Sequence, residues 1–63
     1  LYTLIEKLPV GYRTVFNLYA IEGFSHKEIA EAMNIDEGTS RSQLAKARKA
    51  LQVMLNNLNL DIQ

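Results

Sequence analysis

Between Gly38 and Leu60 the sequence carries four basic side chains, Arg41, Lys46, Arg48 and Lys49, and no acidic one. Guanidinium and ammonium groups at this density bind anions, and on a helix they can reach phosphates or the edges of guanine. Gly38, Thr39, Ser40, Ser42, Gln43 and Ala45 lie among them. Such small or hydrogen-bonding neighbours let a helix backbone approach a groove closely. A basic cluster on a helix is most often only a solvated face, but a solvated face usually interleaves both signs for i, i+4 support. The missing acids favour contact with DNA.

No other constellation points to chemistry. His26 is the single histidine and there is no cysteine, so neither a metal site nor a Ser-His-Asp arrangement can be assembled. Glu28, three residues after Ser25, reads as a helix-capping acid rather than a general base. The expectation is a binding domain with no catalysed reaction, no cofactor and no metal.

Formal net charge is zero over 63 residues, which taken alone argues against a nucleic-acid partner. The charges are unevenly spread. Residues 1–37 hold six acids against Lys7, Arg13 and Lys27, whereas residues 38–63 hold the four bases above against Asp61. The length suits one domain, read as spanning residues 1–63, and without disulfides its stability must come from packed helices. With 48% hydrophobic residues but no apolar run near the ~20 needed to cross a bilayer, the chain reads as a soluble globular piece. A start at Leu1 rather than methionine suggests a domain excised from a longer chain.

Four elements must position the basic segment. Leu1, Leu4, Ile5 and Leu8 make the stripe of a short first helix that Pro9 stops. Pro9 then suits the first turn of a second helix, whose inner positions Tyr12, Val15, Phe16 and Tyr19 run on to about Glu22, with Gly23 as a left-handed cap. Ser25 and Glu28 form a capping box, flanked by Phe24 and Ile29 at the positions of a hydrophobic staple, so a third helix starts there and buries Ile29, Ala30 and Met33. His26, in its first turn, is expected at the surface. Asn34 tolerates a tight left-handed turn, and Asp36 is the next N-cap candidate. The fourth helix is the longest, and the tail Asn59 to Gln63 is expected to fray.

At 100° per residue, Ala47, Leu51, Leu55 and Leu58 fall within about 60° of Leu44, the expected buried side. Ser42, Lys46, Lys49 and Val53 cluster about 180° away. Ser40 falls at about −40°, inside, where the core should be thin and a larger apolar side chain should stabilise the fold. The fold class is all-α, a short four-helix domain in which the third and fourth helices form a helix-turn-helix.

The residues Leu8-Pro9, Tyr12-Arg13, Val15-Phe16, Glu22-Gly23-Phe24-Ser25, Glu28-Ile29-Ala30-Glu31, Ile35, Gly38-Thr39, Arg41-Ser42, Leu44 and Ala47-Arg48 together resemble region 4 of extracytoplasmic-function sigma factors. Ser-x-x-Glu-Ile-Ala is common to many helix-turn-helix proteins; Leu-Pro-x-x-Tyr-Arg-x-Val-Phe followed by Glu-Gly-Phe-Ser at this spacing is far more specific. The resemblance covers nearly the whole chain. It implies recognition of the −35 promoter element by RNA polymerase holoenzyme, contact with the polymerase beta-flap, an anti-sigma factor as a further partner, and a cytoplasmic location. It assigns base reading to Arg41, Ser42, Ala45 and Lys46, and phosphate contact to Thr39, Gln43, Arg48 and Lys49. Ser40 departs from the family pattern, which commonly has valine or a similar apolar residue there.

Two other functions fit part of the sequence. A LuxR-like response regulator also uses a four-helix DNA-binding domain with a Ser-x-x-Glu-Ile-Ala helix, although Leu8-Pro9 and Tyr12-Arg13 favour sigma. A protein-interaction module would instead use the apolar faces at the two chain ends, Leu1, Leu4, Ile5 and Leu58.

Overall fold

A computed structural model describes the backbone of residues 2–62 and the side chains of residues 3–58. Four α-helices follow one another: α1 (Tyr2–Glu6), α2 (Val10–Phe16), α3 (His26–Met33) and α4 (Glu37–Ile62). Leu1, expected in the first helix, lies outside the described residues, as do the side chains of Asn59 to Gln63. Among the described residues there is no strand.

The joint between α1 and α2 follows from Pro9. The α1 ladder tightens into i→i−3 bonds, Lys7 N–H to the Leu4 carbonyl at 3.1 Å and Leu8 N–H to Ile5 at 3.0 Å. Pro9, at φ −53° and ψ 149°, stands just before α2 rather than within its first turn. A proline disfavours helical geometry in the residue ahead of it, which forces the break. Arg13 reaches back across the joint and donates to the Glu6 carbonyl at 3.1 Å, satisfying an end that has no further helical partner.

The second helix was expected to run unbroken to Glu22. Instead α-geometry ends at Phe16 and a π-helical turn, Asn17–Ile21, completes it. Glu22 N–H bonds to the Asn17 carbonyl, five residues back, and Phe24 N–H to Leu18, six back, both at 2.9 Å. Gly23 sits at φ +80°, the left-handed conformation that closes the turn at little cost for glycine.

α3 begins with the complete capping box: the Ser25 hydroxyl accepts from Glu28 N–H at 3.1 Å and the Glu28 carboxylate from Ser25 N–H at 2.9 Å. It ends at Asn34, left-handed at φ 57° and ψ 49°. Ile35 and Asp36 complete the turn, and the Asp36 carbonyl accepts the first bond of α4, from Ser40 N–H at 3.0 Å.

The core lies along one side of α4 in two parts. Val15, Ile29 and Leu44 pack beneath the start of α4, with Leu18, Tyr19 and Met33 at their edge. Ile5, Leu8, Ala47 and Leu51 pack further along, with Leu4, Tyr12, Ala50 and Met54. Phe16 touches both parts. The buried row of α4 stops at Leu51. Leu55 and Leu58, expected inside, are 36% and 46% exposed. The reason is length: 26 residues of helix span about 39 Å, and the two partner helices of this region, α1 and α2, are 5 and 7 residues long.

Candidate nucleic-acid interface

The outward face of α4 follows from its inward one. Ser40, Leu44, Ala47 and Leu51 are buried at three- and four-residue steps, so the opposite side must face solvent. Thr39, Arg41, Ser42, Ala45, Lys46, Arg48 and Lys49 are all exposed. Ser42, Ala45, Lys46 and Lys49 share one stripe, with Thr39 and Arg41 at its N-terminal end, so six of the eight DNA-facing candidates occupy one accessible surface and Arg48, also exposed, stands at its flank.

Gln43 is placed differently. It is half-buried at the joint between α2 and α4; its Oε1 is 3.5 Å from where a side chain on Gly11 would begin, and it has no hydrogen-bond partner among the described residues. To reach a phosphate it would have to swing out. Arg48 is exposed but leans on its own domain, its guanidinium carbon 5.9 Å from the centroid of the Tyr19 ring. Arg41 pairs with Glu37, one turn earlier, at 3.6 Å. Exposed i, i+4 pairs of this kind contribute only about 0.3–0.5 kcal/mol, so the guanidinium is readily exchanged to another anion.

Behind this face stands a polar contact that the sequence did not disclose. Ser40 is fully buried, and its Oγ lies 2.8 Å from His26 Nδ1. The His26 ring is half-buried rather than at the surface, stacked on Tyr19 with centroids 4.5 Å apart and planes 16° from parallel. The π turn carries Tyr19 to this position. Ser40 therefore lies inside, as its helical phase required, but the space beside it holds a bonded imidazole. The one available signal was the phase itself: a buried hydroxyl needs a partner, and nothing in the spacing of residues 26 and 40 named it.

Electrostatically, α3 opens on a carboxylate. The Ser25 backbone N–H, and secondly its hydroxyl, hold Glu28 below the ordinary carboxylate value. Among the described residues no three His, Asp or Glu side chains converge as metal ligands, and no helix is long and apolar enough to cross a membrane.

In sequence, residues 1–51 match the family described as sigma-70, region 4. The chain is an extracytoplasmic-function member of that family. The match runs from α1 past Lys49, so it includes every DNA-facing candidate and the Leu8-Pro9 and Tyr12-Arg13 pairs that weighed against a response regulator. The region 4 domain is 43% identical over 54 residues to the ECF RNA polymerase sigma factor SigW of Bacillus subtilis, covering 86% of this chain and 29% of that protein. It is 39% identical over 54 residues to the RNA polymerase sigma-H factor of Pseudomonas aeruginosa, covering 86% and 28%. With the ECF RNA polymerase sigma-E factor of Escherichia coli it shares 40% over 47 residues, covering 75% and 25%. The chain thus spans between a quarter and a third of the length of these relatives. No solved structure matches it.

Proposed function

We propose that this region 4 domain recognises the −35 promoter element as part of bacterial RNA polymerase holoenzyme, directing transcription initiation and catalysing no reaction itself. The observation that carries the reading is the opposition of the two sides of α4, a buried row of Ser40, Leu44, Ala47 and Leu51 against an exposed side with four bases and no acid between Gly38 and Leu60. In a helix-turn-helix the first turns of the second helix enter the major groove deepest. By the resemblance to region 4 of extracytoplasmic-function sigma factors, base reading falls to Arg41, Ser42, Ala45 and Lys46, and phosphate contact to Thr39, Gln43, Arg48 and Lys49.

The holoenzyme setting implies further surfaces. The apolar residues that α4 leaves exposed, Val53, Leu55 and Leu58, suit docking on a protein such as the polymerase beta-flap or an anti-sigma factor, in the cytoplasm where polymerase works.

Base-reading and phosphate-holding residues are separable by specificity. A duplex enriched by the wild-type chain from a random pool, and a scrambled duplex, serve as probes in fluorescence anisotropy. Arg41→Ala and Lys46→Ala should each weaken the selected duplex by about 1–3 kcal/mol and the scrambled one much less, whereas Lys49→Ala should weaken both equally. Folded Arg41→Ala and Lys46→Ala proteins that keep the wild-type ratio of affinities would overturn the assignment.

A further inference from the structure

Ser40 is the only buried polar side chain among those described, and it lies in the first turns of α4, between Thr39 and Arg41. A serine hydroxyl inside a helix ordinarily bonds back to a carbonyl of its own helix. Here its recorded partner is His26, fourteen residues earlier and in the first turn of α3. When the imidazole carries its proton on Nε2, the hydroxyl donates to Nδ1.

The ring is held on a second side by Tyr19, against which Arg48 of α4 also leans. Ser40 and Arg48 are eight residues apart, about 12 Å along the helix. The recognition helix is therefore tied to one histidine-tyrosine stack at two separate points, by a directional bond and by a cation on a ring. Apolar contacts tolerate sliding and rotation of a helix. A hydrogen bond does not, because it weakens steeply away from its preferred angle.

We propose that His26 and Ser40 form a positioning pair that sets the angle of α4 against α3, and thereby the presentation of Arg41, Ser42 and Lys46 to DNA. The effect on DNA rests on the promoter-reading function above; the angle does not.

The test uses the 63-residue chain with Ser40→Val, His26→Phe, His26→Asn and the double variant His26→Phe/Ser40→Val, each checked for folding by circular dichroism. Residual dipolar couplings report the angle between α3 and α4, and anisotropy reports the ratio of affinities for selected and scrambled duplexes. Ser40→Val and His26→Phe, which keeps the stack but not the bond, should each change the angle and lower the ratio about three- to tenfold. The double variant should lose no more than the worse single one. His26→Asn, which retains an amide near the Nδ1 position, should recover most of the ratio.

Folded Ser40→Val and His26→Phe proteins with the wild-type angle, or losses that simply add in the double variant, would overturn the pairing. If Ser40→Val fails to fold, Ser40→Ala carries the same comparison. Should the wild-type chain not distinguish the two duplexes, the promoter reading fails and the couplings alone decide the pairing.

Discussion

The two halves of α4 are one continuous helix in unlike surroundings. Its first half, to Leu51, has α1, α2 and α3 behind it, buries Ser40, Leu44, Ala47 and Leu51 to 5% exposure or less, and turns its bases outward. Its second half continues the apolar phase through Leu55 and Leu58, but those side chains are a third to a half exposed. The same periodicity thus has two outcomes, decided by whether a neighbour of sufficient length lies opposite. A fully backed helix start suits groove reading, and an apolar end that is only partly covered suits another macromolecule.

The sharpest way to break this contrast is to truncate one apolar side chain in each half's surroundings. Ile29 is fully buried beneath the start of α4, so Ile29→Ala should cost about 2–4 kcal/mol in urea unfolding. Leu58→Ala, at a position nearly half exposed, should stay within about 0.5 kcal/mol. Equal losses would mean that both ends of α4 are packed alike.

The charge on the first half can be measured next. Three to five phosphate contacts from its bases give a slope of about −3 to −5 in log affinity against log salt. A slope near zero would separate the basic face from DNA binding altogether. The second half carries no basic residue, so removing Leu55 and Leu58 together should leave that slope unchanged.

The smallest effect concerns the capping box that launches α3. Replacing Ser25 with alanine should cost about 1 kcal/mol. Because the folded-state pKa of Glu28 is depressed, its contribution is present above the ordinary carboxylate value and is lost as pH falls through the lowered one. Glu28→Gln should therefore be less stable than wild type near neutrality, with the difference closing in acid; a gap that persists at low pH would contradict the carboxylate's role.

The start and stop signals were legible because each is local chemistry: Ser25 with Glu28, Gly23, Asn34 and Pro9 all act within a turn of themselves. The phase of α4 was legible for the same reason, and with it the exposed stripe of bases. The π turn was not, since no residue type marks a shift from four- to five-residue bonding. Nor was the exposure of Leu55 and Leu58, which depends on how far α1 and α2 extend. His26 was misplaced because its partner, Ser40, is brought near only by the folding of the turn between them. From helical phase alone the Ser40 hydroxyl looked like a gap in the core, but with His26 Nδ1 at 2.8 Å Ser40→Val would add apolar burial while removing a hydrogen bond of about 1 kcal/mol.

The central claim, that the first half of α4 meets DNA and the second does not, is tested most directly by backbone amide chemical-shift mapping during titration with the selected duplex. The largest perturbations are expected from Thr39 to Lys49, with smaller ones at the start of α3 and none from Val53 onward. Perturbations centred on Val53 to Leu58 or on α1, with Thr39 to Lys49 unmoved, would contradict it.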